Sequence, residues 1–155
     1  MEAGRLGEKD IRQILERYKI VAVVGLSRDQ SKASYVVAEY LKSHGFRIIP
    51  VNPFVDEVLG EKSYRSLLEV PEDIQKSVQI VDIFRPANEV SPIIEQIIQL
   101  RKAYGVPFVV WMQLGIVNEQ AAEMAREAGL TVIMDRCMKI EHQRLRGNGE
   151  KKQGS

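Results

Sequence analysis

The sequence predicts an α/β protein: an open, doubly wound parallel sheet in three α/β/α layers, forming a single domain. Three observations predict it. Short runs rich in Val and Ile recur at Ile20–Val24, Phe46–Val51, Val78–Phe84, Phe108–Met112 and Leu130–Met134. They lack polar alternation, as strands buried on both faces do. Between them lie stretches with apolar residues at helical spacing, and strands alternating with helices make a parallel sheet with right-handed crossovers. Finally, 155 residues with 45% hydrophobic content and one cysteine suit one core that needs no disulfide framework.

Taken in order, Ile11, Ile14, Leu15 and Tyr18 mark a short amphipathic helix with Asp10 as its expected N-cap. Gly25 closes the first strand, and Leu26–Ala33 is a polar loop. Tyr35, Val36, Val37, Tyr40 and Leu41 continue as a helix that stops at His44-Gly45. The second strand, Phe46–Val51, is halted by Asn52-Pro53. In the following stretch Glu61–Tyr64 is expected as a short edge strand and Ser66–Val70 as a short helix before Pro71. After the strand Val78–Phe84, Arg85-Pro86 begins a loop. A long helix then runs to about Tyr104, ended by Gly105 and Pro107. Phe108–Met112 is a strand followed by Gln113-Leu114-Gly115. Asn118 is an expected N-cap for a helix through Ala128, with Gly129 behind it. The last strand, Leu130–Met134, leads to a closing helix from Met138 to about Leu145. The expected organisation is a flexible N-terminus over 1–7, the domain over 8–145, and a disordered tail over 146–155, where Gly147–Ser155 has no apolar residue.

Six such strands fit the order 3-2-1-4-5-6, in which the winding reverses between the first strand and the fourth. Ligands in these sheets bind outside the carboxyl ends of the strands at that reversal. The loops after Gly25, Phe84 and Met112 are therefore the ones to watch.

Charge narrows the partners. Lys+Arg 22 against Asp+Glu 21 leaves a net charge of +1, which gives no global field for nucleic acid or a membrane surface. The N-terminus lacks the basic-then-apolar order of a secretory signal. No apolar run approaches the ~20 residues of a membrane span. A cytoplasmic location is the expectation, and there is no internal repeat.

The loop after the first strand holds Gly25, Ser27, Arg28, Ser31, Lys32 and Ser34. Glycine permits a tight turn and a close ligand. The following helix offers unpaired N–H groups at its positive end, which favour phosphate. Hydroxyls and two cations add donors, so a pyrophosphate would suit it; the alternative is an ordinary polar connection. The dinucleotide fingerprint Gly-x-Gly-x-x-Gly is not met, because its positions hold Gly25, Ser27 and Gln30. The second strand ends in Val51-Asn52-Pro53, without the acidic residue that binds an adenosine ribose in nicotinamide enzymes. Both departures argue against NAD, and the absence of a Walker motif argues against nucleotide hydrolysis.

Arg85 could clamp a phosphate, cap strand carbonyls or be a structural surface residue. Gln113, with Gly115 beyond it, could hydrogen-bond a ligand amide, whereas Trp111 reads as core. Cys137 is either a small buried hydrophobe or a thiol near the ligand, with Arg136 and Lys139 able to favour its thiolate. His44 suits a helix end, and neither it nor His142 has a convincing set of metal-ligand partners. Asp29, Asp82 and Asp135 read as solvated or capping carboxylates.

Five segments in order carry a resemblance: Val21–Arg28, Ile49–Pro53, Val81–Arg85, Trp111–Gly115 and Met134–His142. Together they resemble the small stand-alone CoA-binding domain proteins, which are similar to the CoA-binding domain of the succinyl-CoA synthetase alpha subunit. The resemblance covers about residues 8–145. It implies a Rossmann-like domain that binds coenzyme A, with contacts on Gly25, Ser27, Arg28 and Lys32, on Asn52 and Pro53, and on Arg85, Gln113 and Gly115. CoA carries a pyrophosphate and a separate 3′-phosphate, which want several cations. The larger synthetases use a phosphorylated histidine and a nucleotide-grasp domain, and neither His44 nor His142 stands where that histidine would be expected, so the resemblance carries over binding and not synthetase chemistry. The expectation is a non-catalytic module for CoA or acyl-CoA. Thiol–disulfide exchange through Cys137, or a CoA-responsive subunit that self-associates or docks on a partner enzyme, are the alternatives.

Overall fold

The computed structural model of the protein describes residues 6–153. Residues 1–5 of the expected N-terminal extension and 154–155 of the expected tail lie outside the described residues.

Five strands form the main sheet: β1 (Ile20–Val24), β2 (Arg47–Val51), β5 (Ile80–Ile83), β6 (Val109–Met112) and β7 (Thr131–Ile133). Their order is β2-β1-β5-β6-β7, and every pair is parallel. The winding therefore reverses between β1 and β5, as the pattern predicts. The helices are α1 (Glu8–Arg17), α2 (Ala33–Ser43), α3 (Glu72–Gln75), α4 (Val90–Tyr104), α5 (Glu119–Glu127) and α6 (Met138–Gln153).

Strand residues alternate between two buried layers. Ala22, Val81, Ile83 and Met112 face Ile94 and Ile97 of α4 and Ala121 and Ala125 of α5. Val21, Val23, Ile80 and Trp111 face Ile11 and Leu15 of α1, Val37 and Leu41 of α2, and Met138 of α6. Burial on both faces explains the unbroken apolar runs. Trp111 is core, and its indole N–H donates to the Arg136 carbonyl at 2.8 Å.

Three expectations are corrected. The edge strand expected at Glu61–Tyr64 does not join the main sheet as a strand. Glu57–Val58 (β3) and Glu61–Lys62 (β4) pair instead as an antiparallel hairpin, turned at Leu59 (φ 56°) and Gly60 (φ 75°). Only Tyr64 reaches the main sheet, through a single parallel bridge to Val51. A segment as polar as Glu61-Lys62-Ser63 cannot fill a strand buried on both faces, so the sixth strand shrinks to one rung. Asp10 is not an N-cap: Gly7 holds that place, and its N–H donates to the Asp10 carboxylate at 2.9 Å. The closing helix extends to Gln153 rather than ending near Leu145.

Candidate functional site

Gly25 sits where the sheet reverses. Its φ is +88°, a conformation side-chain-bearing residues avoid. A Cβ there would lie 2.9 Å from Arg85 Cδ and 3.0 Å from the Phe84 carbonyl oxygen. Glycine is thus required twice, by backbone angle and by the approach of the chain leaving β5. Its N–H donates to the Val51 carbonyl at 2.8 Å, tying the ends of β1 and β2 together.

The loop beyond Gly25 holds its own shape. Buried Ser34 accepts the Ser27 N–H on its Oγ at 3.0 Å. Ser27 Oγ accepts the Asp29 N–H at 3.0 Å. Asp29 Oδ1 accepts both the N–H and the hydroxyl of Ser31, at 2.9 and 2.7 Å. These hydrogen bonds, the hydroxyl first, hold the Asp29 carboxyl below its usual range. Ser34 is therefore a brace, and Ser27 both receives and gives inside the loop. Among the described residues, the N–H groups of Leu26 and Arg28 have no acceptor. The first turn of α2 adds Ala33, Ser34 and Tyr35, whose N–H groups have no acceptor within the helix. Arg28 and Lys32 are exposed on this loop.

On its other side the loop is fixed by Asn52. Its Nδ2 donates to the Leu26 carbonyl at 2.9 Å, and its Oδ1 accepts the Phe54 N–H at 2.8 Å. A cleft of about 520 Å³ opens between these strand ends and α4. Gly25, Asn52, Pro53 and Arg85 line it, with Leu67, Pro92 and Ile93 as an apolar wall. Arg85 donates from Nε to Glu89 at 2.7 Å and pairs from Nη2 with the same carboxylate at 2.5 Å. The structure thus brings Gly25, Asn52, Pro53 and Arg85 to one cleft and sets Ser27, Arg28, Lys32 and Ser34 on the adjoining loop.

The remaining predicted residues lie elsewhere. Gln113 is buried, and its Nε2 donates to Asp82 Oδ1 at 2.7 Å. Gly115 (φ +86°) makes a turn, its N–H donating to Asp135 Oδ1 at 2.7 Å. Cys137 is half-buried against the α1/α2 layer. The cations expected to favour its thiolate are committed: Arg136 pairs with Glu141 at 3.1 Å, and Lys139 lies over the Tyr40 ring at 5.7 Å. His44 caps the C-terminus of α2, and the His142 ring nitrogen Nδ1 meets the Tyr40 hydroxyl at 2.8 Å. Among the described residues no group of three or more His, Cys, Asp or Glu is gathered to hold a metal. No helix of the described residues is long and apolar enough to cross a membrane.

Sequence reasoning missed two groups. Asp82 is not solvated or capping but lies inside the sheet with no exposed surface. Burial raises its pKa from 3.8 to about 8, with the Gln113 hydrogen bond opposing, and its Oδ2 has no partner among the described residues. The signal was a carboxylate inside the apolar run Ile80–Ile83. Arg65 also lines the cleft, beside Phe54, which is 88% exposed. Nothing in the polar stretch around Arg65 announced this, because its placement depends on the long-range rung between Tyr64 and Val51.

An open parallel sheet with a cleft at its winding reversal defines a Rossmann-like α/β domain, the class that holds nucleotide-bearing ligands at this edge. The comparisons sharpen this. Residues 19–143 match the family described as CoA binding domain. The uncharacterised protein YneT of Bacillus subtilis is 40% identical over 133 residues, which are 86% of this chain and 92% of that protein. A hypothetical protein from Pyrococcus horikoshii OT3 superposes with a TM-score of 0.82 at 39% identity, covering 94% of this chain and 99% of that one. A shorter match, 40% over 63 residues, links 41% of this chain to 9% of an ADP-forming acetate–CoA ligase of Methanocaldococcus jannaschii. The chain belongs to the CoA-binding domain family.

Proposed function

We propose that the chain binds coenzyme A or an acyl-CoA across the carboxyl edge of β1, β2 and β5, as a binding or regulatory module without catalysis of its own. The observation that carries this is Gly25. It packs the loop after β1 tightly against the chain leaving β5 and stands in the wall of the cleft at the winding reversal, the edge at which such sheets hold a ligand's phosphates. The N–H groups of exposed Arg28 and of the first turn of α2 supply donors, and the positive helix end supplies the field. Arg28 and Lys32 add charge at the rim.

The neutral Asn52 favours this ligand over a nicotinamide dinucleotide. Its side chain is spent on Leu26 and Phe54, and among the described residues lining the cleft the one carboxylate, Glu89, is paired with Arg85. The apolar wall of Leu67, Pro92 and Ile93 suits the pantetheine arm, because ligand clefts combine apolar walls with a few placed polar groups. Thiol exchange through Cys137 finds less support, since Arg136 and Lys139 are engaged with other groups.

Calorimetric titration with CoA, alongside thermal denaturation, tests the proposal. We expect measurable heat and a rise in melting temperature with CoA concentration. No heat and no shift at millimolar CoA would remove the reading.

A further inference from the structure

We propose that Arg65 binds the 3′-phosphate of CoA and makes the cleft select CoA over its dephospho form. This rests on the CoA reading above and adds a residue and a selectivity to it. In doubly wound sheets the ribose of an adenosine lies beyond the end of the second strand. An acidic residue there takes free ribose hydroxyls, while a nearby arginine takes a ribose phosphate.

Here β2 ends at Val51, and Asn52 has both side-chain groups committed. The cation that comes alongside is Arg65. Its neighbour Tyr64 is stapled to β2: the Tyr64 N–H donates to the Pro50 carbonyl at 3.1 Å, and the Asn52 N–H donates to the Tyr64 carbonyl at 2.8 Å. Two residues further on, Leu67 is buried. Arg65 is therefore held between two anchors at the wall of the cleft.

Charge leaves it available. Glu89 is the acid lining that cleft, and it is bound to Arg85. Among the described residues Arg65 makes no ion pair and no side-chain hydrogen bond. Arg28 and Lys32 stand on the β1 loop, where the diphosphate goes. Arg65 on the cleft wall and the cations of the adjoining β1 loop thus stand on different segments of the chain, and CoA has two separate anionic groups. An exposed arginine in this position is free to form a forked contact with a phosphate.

The test titrates wild type and Arg65→Ala with CoA, dephospho-CoA and NADP+. A charge-assisted contact predicts that wild type prefers CoA over dephospho-CoA by about tenfold or more. In Arg65→Ala the two should bind alike, with dephospho-CoA affinity unchanged. Arg65 is exposed, so the variant should fold, and circular dichroism checks this. An unchanged preference in the variant overturns this inference and leaves the proposed function standing. Failure of wild type to bind CoA, or tighter binding of NADP+ than of CoA, overturns both.

Discussion

Two loops leave the same edge of the same sheet, and they present opposite surfaces: exposed Arg28 and Lys32 on the loop after β1, exposed Leu114 and Val117 on the loop after β6. The loop after β1 braces itself through Ser34, Ser27 and Asp29 yet leaves the N–H groups of Leu26 and Arg28 without acceptors. The loop after β6 is tied to its neighbours: Gln113 donates to Asp82 in β5, Gly115 to Asp135 beyond β7, and Asn118 caps α5 through Ala121; it carries no cation and exposes Leu114 and Val117. Both follow a strand, both contain a positive-φ glycine, and both look like ligand loops in the sequence. The contrast teaches that position at the sheet edge gives an opportunity, and the charge a loop exposes there decides whether an anion can use it.

The largest expected effect is at Gly25. Gly25→Val imposes a positive-φ side chain against Arg85 Cδ and the Phe84 carbonyl. It should destabilise the fold by about 2–4 kcal/mol and abolish CoA binding. Denaturant titration and calorimetry read the two effects. Wild-type stability with intact binding would break the comparison at its starting point.

Asp82 comes next. Its folded pKa is raised from 3.8 to about 8, so the folded state holds a proton that the unfolded chain releases. That contribution is fully present below the unfolded value and is lost as pH rises, levelling off above about 8. Asp82→Asn keeps the acceptor for Gln113 but cannot ionise. It should flatten the fall in stability between pH 5 and pH 8 and raise stability at pH 8 by on the order of 1–3 kcal/mol. Denaturant melts across that range check it; an unaltered slope would show that Asp82 ionises freely in the fold.

The double substitution Arg28→Ala and Lys32→Ala should weaken CoA by about tenfold and lower the salt dependence of binding, with little change in stability. Calorimetry at two salt concentrations measures it, and unchanged affinity would exclude both cations from the phosphate site. The smallest effect on binding belongs to the loop after β6. Gln113→Leu strips Asp82 of its partner and should cost about 1–3 kcal/mol of stability while leaving CoA affinity unchanged. A large loss of affinity would return the β6 loop to the site.

Most of this fold is legible in the sequence, because strands buried on both faces must be continuous apolar runs; Ile20–Val24 and Val109–Met112 are such runs. Gly25 and Asn52-Pro53 stand out as turns at strand ends, which places the cleft. The stretch from 54 to 77 was not legible, since Tyr64 joins the sheet by one rung to a distant strand. Arg65 follows Tyr64 into the cleft and was hidden for the same reason. Gln113 misled because sequence shows a donor at the right edge without showing that Asp82 already holds it.

Amide chemical-shift mapping during a CoA titration addresses the contrast between the loops directly. We expect the largest shifts at Arg28 and Ala33–Tyr35, with the Gln113–Asn118 loop nearly still. Shifts centred on Gln113–Asn118, with the loop after Gly25 unmoved, would contradict this.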